Sequence, residues 1–137
     1  MSVMPRPSKV ILPILRAALP DVQVVTWIPD VDDRKFPIIN IRRVGGNRLA
    51  KAPNRLALPI IEMTAYTLDD IPTTEDLYET SLEALFEAKR KQTPTPFGYI
   101  HSIRETMGAT QFSSPYQDSW RIQGLIQLGI KPPRTNS

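Results

Sequence analysis

The sequence predicts an α+β domain, a mostly antiparallel sheet of about four to five strands with two main helices packed on one face. Two observations lead to this class: β-rich runs outnumber helical stretches, and the runs meet through turn-like segments, in the order α-β-β-β-α-β-β. With 137 residues and 41% hydrophobic content, the chain is long enough for one modest core. We therefore expect a single domain over residues 1–137, with short flexible termini at about 1–7 and 132–137.

The first helix is predicted over residues 8–19, where apolar side chains recur near the helical period. Ser8 is a candidate N-cap. Pro13 lies inside this stretch, and because an interior proline costs ~3 kcal/mol, a kink or a late start of the regular helix is expected there. A short strand is predicted next, over residues 22–28.

A long-tipped β-hairpin is predicted in the middle of the chain. Its strands cover residues 36–44 and 56–67, each with apolar residues alternating between two faces. Gly45-Gly46-Asn47 marks a turn, since glycine and asparagine tolerate positive φ. The basic loop 47–55 then forms the tip of an antiparallel pair.

A second helix is predicted over residues 74–91, with its apolar side chains on one face. Thr73 is the expected N-cap, with Asp76 at the third helical position completing a variant capping box. Lysine and arginine in the last turn complement the helix dipole.

Two further strands are predicted after this helix. The first covers residues 99–112 and contains Gly108, a candidate bulge or bend. The second covers residues 119–131, where strict alternation from Trp120 to Ile130 indicates one buried face.

Charge is sorted into two adjacent blocks. Residues 34–61 contain seven basic side chains and no acid, whereas residues 62–87 contain eight acids and no base. The net charge is only +3, so the whole chain is not strongly basic. A domain with one positive and one negative region can bind copies of itself head to tail.

Within these blocks, one face of the second helix carries four glutamates spaced four residues apart. Like charges at this spacing destabilise an isolated helix by ~0.2–0.5 kcal/mol per pair, which favours a cationic surface as their partner. The sequence therefore predicts an interface between copies of the chain, with a solvated helix face as the alternative. The predicted interface residues are Arg42, Arg43, Arg48, Lys51 and Arg55 on the basic side and Glu75, Glu79, Glu83 and Glu87 on the acidic side.

No catalytic, cofactor or metal site is predicted. The chain has no cysteine and one histidine, His101, which cannot build a zinc site alone. Its neighbour Ser102 should point to the opposite face of the strand. No pair of catalytic groups can be nominated, so we expect a protein that is not an enzyme. No apolar run approaches the ~20 residues that span a bilayer, and no signal peptide or membrane contact is expected.

A nucleic-acid-binding module is the alternative from another functional class. The basic residues between 42 and 55 could contact phosphates. That stretch contains no aromatic platform for bases, and the acidic helix would oppose broad binding to a polyanion.

The chain resembles the tail terminator proteins of long, flexible-tailed (siphovirus-type) bacteriophages. The resemblance extends over nearly the whole chain, and the departures from it are Pro13 and the long basic tip. It is carried by residues 15–25 (LRAALPDVQVV), 36–46 (FPIINIRRVGG), 60–66 (IIEMTAY), Glu83-Ala84, 98–105 (GYIHSIRE) and 120–128 (WRIQGLIQL).

The resemblance implies a structural virion protein. Its partners would be five further copies in a hexameric ring, the major tail tube protein below and the head-closure or neck proteins above. DNA would enter only as cargo passing through the lumen, and no cofactor is implied. The location would be the head-proximal end of the virion tail, and the host cytoplasm during assembly. Another neck component, such as a head-closure or connector protein, is the alternative within this class.

Overall fold

The computed structural model describes residues 4–134 and has the predicted α+β order of elements. Residues 1–3 and 135–137, parts of the termini expected to be flexible, lie outside the described residues. Met4 is buried, so the chain already packs on the core before the first helix begins. The elements are α1 (Pro7–Ala18), β1 (Gln23–Val25), β2 (Ile38–Arg48), β3 (Ala57–Thr67), α2 (Ile71–Lys91), β4 (Tyr99–Phe112) and β5 (Trp120–Lys131).

The five strands form one mostly antiparallel sheet in the order β1-β2-β3-β5-β4. Only β1 runs parallel to its neighbour β2. The helices contact each other and share one face of the sheet, α1 over β1 and β2 and α2 over β3, β5 and β4. The core lies between helices and sheet, and its fully buried side chains include Ile11, Leu15, Ile41, Met63, Tyr78, Leu85, Ile122 and Ile126.

Helix α1 begins one residue earlier than predicted. Pro7 occupies its first turn, where a missing N–H costs nothing, and Arg6 rather than Ser8 is the N-cap residue, without a side-chain cap. Pro13 is accommodated within the helix, which continues to Ala18. Burial of the apolar stripe against the sheet supplies the free energy that the interior proline costs.

The predicted turn at Gly45-Gly46-Asn47 is wrong, because β2 continues through it to Arg48. The register shifts between Arg43 and Gly45, which leaves Val44 as the extra residue of a β-bulge. Gly46 has φ of +89°, and a Cβ there would lie 2.1 Å from the carbonyl oxygen of Leu58. Gly46 thus permits the close strand approach beside the bulge, and the tip of the hairpin is confined to residues 49–56.

Helix α2 begins at Ile71, three residues before the predicted start, and Asp70 is the N-cap instead of Thr73. The Asp70 carboxylate accepts a hydrogen bond from the backbone N–H of Thr73 at 2.8 Å. The helix ends at Lys91, and Gln92 takes the left-handed conformation that closes it.

Strands β4 and β5 match their predicted ranges to within one residue. The register shifts between Met107 and Thr110, so the irregularity expected at Gly108 is confirmed. The predicted buried face of β5 is confirmed at Ile122 and Ile126, whereas Trp120 at the strand end is 41% exposed.

The sheet face opposite the helices is partly covered by two loops. The ring of Tyr116, in the loop between β4 and β5, meets Tyr66 edge-on at 5.2 Å between centroids. The guanidinium of Arg34, from the loop between β1 and β2, stacks over the same Tyr116 ring at 4.2 Å. No helix within residues 4–134 has the length and apolarity needed to cross a membrane.

Candidate functional site

The basic residues predicted as an interface lie on the β2–β3 hairpin, and all five are exposed. Arg42 and Arg43 occupy consecutive positions of β2, so they lie on opposite faces of the sheet. Arg43 is paired with Ile61, a residue of the core under the helices, and therefore lies on the helix-bearing face. Arg48 ends β2, while Lys51 and Arg55 lie in the tip.

Arg42 is already paired within the chain. Its guanidinium contacts the Glu62 carboxylate of β3 at 2.9 Å, directly across the strand pair. The hydrogen bond to Glu62, together with its negative charge, raises the pKa of Arg42. Because Arg42 remains largely exposed, the pair is a screened surface ion pair whose guanidinium can still contact another molecule.

Arg43 stabilises the β-bulge through side-chain hydrogen bonds. Its guanidinium donates hydrogen bonds to the carbonyl oxygens of Gly45 at 3.2 Å and Gly46 at 3.3 Å. With Arg42, it also lines a small cleft of about 210 Å³ at the start of α1, which Arg6 and Thr26 border from the other side. The sequence reasoning missed Arg6, because only the packing of α1 against the sheet brings it beside the hairpin.

The four predicted glutamates occupy the outer side of α2, away from its buried face. Glu75, Glu79 and Glu83 are exposed, and none of them forms a salt bridge within residues 4–134. Glu87 differs, because its carboxylate is held by Arg90 and by Lys91, the latter at 3.1 Å. The acidic surface is therefore carried mainly by the first three glutamates.

Glu79 lies near two further acidic side chains, Glu105 on β4 and Glu75 on α2. Desolvation raises its pKa, and the charges of Glu105 on β4 and Glu75 on α2 raise it further. A cation placed beside Glu79 would relieve this repulsion, so the position is suited to an incoming lysine or arginine.

The structure does not bring the two charged surfaces together within one copy. Among residues 4–134, no salt bridge connects the basic side chains of the hairpin with the glutamates of α2. The two surfaces are thus free to meet groups on other molecules.

His101 lies at a register irregularity of β4, between Ile100 and Ser102, and its buried Nδ1 has no hydrogen-bond partner among the described residues. The Ser102 side chain faces Gly129 of β5. Within residues 4–134, no three His, Cys, Asp or Glu side chains are grouped so that they could hold a metal ion.

The comparisons with known proteins agree on one family. Residues 3–137 match the protein family described as phage tail termination protein. The gene 22 protein of Mycobacterium phage D29 is 57% identical over 139 residues, which cover 100% of both chains. The gene 22 protein of Mycobacterium phage L5 is 60% identical over 137 residues, covering 98% of this chain and 99% of that protein.

Proposed function

The chain belongs to the phage tail termination protein family and is a structural protein of a phage tail, and on that premise we propose that it forms a hexameric ring at the head-proximal end of the tail tube. In this role it ends polymerisation of the tube and provides the surface on which the head is joined. Its partners are further copies of itself, the tail tube protein below and the neck proteins above. Family membership across residues 3–137 is the observation that carries this proposal.

The charge distribution supports contacts between identical copies. The basic hairpin and the acidic side of α2 belong to different elements and form no ion pair with each other within residues 4–134. A contact in which one patch meets a different patch on the next copy is heterologous, and such contacts generate rings when the rotation closes. Complementary charges give these contacts their register and speed their formation.

The tip of the hairpin is suited to a different partner. Arg48, Lys51 and Arg55 are exposed and form no salt bridge within the described part of the chain. We assign this tip to contacts with the adjacent tube or neck ring, and the strand residues Arg42 and Arg43 to the neighbouring subunit.

The assembly is tested by native mass spectrometry and cryo-electron microscopy of the purified chain, alone and with the tail tube protein. We expect a six-copy ring in at least one condition, since a terminator can assemble on the end of the tube. Monomers in both conditions would contradict the proposal.

The function is tested in a phage from which the gene is deleted. Without the chain, negative-stain images should show tails of uncontrolled length that are not joined to heads, and the wild-type gene should restore normal tails. The double variant Glu79→Lys/Glu83→Lys should fail to restore them. The matched control Asp21→Lys/Asp69→Lys makes the same charge change at two exposed positions outside α2 and should restore them.

A further inference from the structure

The loop between β1 and β2 presents two strongly exposed apolar side chains. Trp27 is 83% exposed and Val31 is 73% exposed. A tryptophan that is buried at an interface removes ~150–250 Å² from water, and tryptophan is enriched among the residues that dominate binding. This side chain therefore has far more to contribute in a complex than in the isolated chain.

The loop that carries Trp27 is held in place by hydrogen bonds. The Arg34 guanidinium donates to the carbonyl oxygen of Pro29 at 3.2 and 3.3 Å, and the backbone N–H of Asp33 donates to the carbonyl oxygen of Asp30 at 2.9 Å. The Gln23 side chain of β1 bridges the far end of the loop, donating to the carbonyl oxygen of Asp33 and accepting from the N–H of Lys35. Such a fixed loop loses little conformational entropy on binding.

An apolar groove, suited to an apolar side chain such as that of Trp27, runs between α1 and the C-terminal half of α2. Its volume is about 460 Å³, which is ample for an indole ring. Small side chains and prolines leave this space open between the helices. The apolar lining includes Pro13, Ala17, Ala84, Ala88, Pro94 and Pro96.

A basic cleft lies beside Thr26, and an acidic cleft adjoins the groove. Thr26, the neighbour of Trp27, lines the same cleft as Arg6, Arg42 and Arg43. The groove continues along Ala18 and Ala84 into a shallow cleft lined by Glu79, Glu83 and Glu87. An apolar contact flanked by complementary charges is the usual composition of a specific interface.

A second pair of opposite charges strengthens this complementarity. The Trp27 loop carries three aspartates, Asp30, Asp32 and Asp33, and the end of α2 at the groove carries Arg90 and Lys91, both mostly exposed. The aspartates of the loop side can thus meet cations on the groove side.

We infer that Trp27 of one copy of the chain occupies the groove between α1 and α2 of the next copy. The arginines beside Trp27 then face the glutamates beside the groove. Trp27 and the groove lie on different parts of the surface, so the contact is heterologous and leaves each copy with one free patch for the next. This inference rests on the proposed ring of identical copies and names the contact that closes it.

The test compares the self-association of the wild-type chain, Trp27→Ala and the control Leu68→Ala by sedimentation velocity over a range of concentrations. Leu68 is 52% exposed and lies between β3 and α2, away from the groove, so its variant removes an exposed apolar side chain that the inferred contact does not use. Because Trp27 is so exposed, its variant should keep the wild-type circular dichroism and melting temperature. Loss of a central anchor should weaken self-association by at least about 30-fold, with no change for Leu68→Ala.

Wild-type association in Trp27→Ala would overturn the inference and leave the proposed function standing. If the wild-type chain assembles only on tail tubes, the same variants are compared there by cryo-electron microscopy, and six-copy rings of Trp27→Ala on the tube would overturn the inference. Failure of the proposed function would be seen separately, as normal tails in the phage that lacks the gene.

Cross-linking gives an independent readout, because the chain has no cysteine of its own. Thr26→Cys and Ala17→Cys are prepared separately and mixed with a short bismaleimide. A product joining one chain of each kind supports the inference. Products that join only two Thr26→Cys chains, or no product at concentrations where the wild-type chain associates, would overturn it.

Discussion

Tyr78 reaches from α2 to the sheet through space that Gly124 of β5 leaves free. An ideal Cβ at Gly124 would lie 1.9 Å from the Tyr78 hydroxyl oxygen and 2.9 Å from the carbonyl oxygen of Met107. Tyr78 is fully buried, and its hydroxyl has no hydrogen-bond partner among the described residues. Burial also raises the pKa of Tyr78, with the charges of Glu105 and Glu79 adding to the effect.

This contact predicts that Gly124→Ala lowers the free energy of unfolding by about 2 kcal/mol, because a fully buried ring must shift. Tyr78→Phe removes a hydroxyl that has no partner within the described residues, so its stability should equal or slightly exceed that of the wild type. The double variant should recover only part of the lost stability. The hydroxyl is gone, but the ring carbon Cζ of residue 78 still approaches the new methyl group. Urea denaturation of the four proteins measures these differences, and a fully stable Gly124→Ala variant would show that the helix–sheet spacing is not fixed here.

Some features of single residues could not be predicted from the sequence, because they depend on distant parts of the chain. Gly45 and Gly46 predict a turn by composition, yet both lie in β2 beside a bulge, and at Gly46 the partner strand approaches too closely for a side chain. That approach depends on strand register, a long-range property that local composition does not contain. Arg6 escaped the prediction for the same reason, since its placement beside the hairpin depends on how α1 packs.

At the scale of elements, α2 was predicted best in its interior and worst at its start. Its apolar period fixes the buried face, whereas Thr73 and Asp70 are both acceptable caps by residue type. Asp70 is the cap in the folded chain, and the Thr73 hydrogen bonds to its carboxylate lower its pKa.

The Asp70 cap predicts that Asp70→Ala loses thermal stability in a pH-dependent way. A lowered pKa means that the carboxylate stabilises the folded state at neutral pH and that this contribution is lost as the pH falls through the lowered pKa. The melting temperature of Asp70→Ala should therefore be a few degrees below that of the wild type at pH 7, and the difference should shrink toward pH 3. Asp70→Asn keeps a good capping residue and serves as the control. Equal melting temperatures for all three proteins at pH 7 would show that the cap contributes nothing.

For Glu79→Gln, in the glutamate row of α2, we expect the opposite effect at neutral pH, a gain in stability instead of a loss. A raised pKa means that Glu79 favours folding most when it is protonated, and that this contribution is lost as the pH rises through its raised pKa. Glu79→Gln should therefore be more stable than the monomeric wild type at pH 7, by about a few tenths of a kcal/mol because the site is mostly exposed. The two should converge below about pH 4, where glutamates are protonated. Thermal melts at dilute concentration measure this, and a variant less stable at pH 7 would show that Glu79 already has a cationic partner within its own chain.

At the scale of the whole molecule, the sequence predicted the order of elements and the sheet because periodicity and turns are local signals. The strand alternation separates Ile39 and Ile41 from Arg42, and Ile39 and Ile41 are the residues that enter the core. Which charged residues remain available to a partner was not predictable. Arg42 is paired with Glu62 across the sheet and Glu87 with the end of its own helix, and both pairings follow from three-dimensional neighbours.

The subunit contact inferred here predicts a specific outcome when two defective variants are mixed. Trp27→Ala lacks the anchor and keeps the groove, whereas Ala17→Trp fills the groove with its own side chain and keeps the anchor. Each variant alone should remain monomeric. In a mixture, the intact Trp27 of the second enters the intact groove of the first, and the two remaining patches are both defective.

A heterologous contact therefore stops growth at a dimer that contains one chain of each variant, whereas two wild-type patches per copy allow a closed ring. Native mass spectrometry distinguishes the mixed dimer from dimers of one variant, because the two substitutions change the chain mass in opposite directions. Rings in the mixture, or dimers of Trp27→Ala alone, would show that the copies meet through surfaces other than Trp27 and the groove.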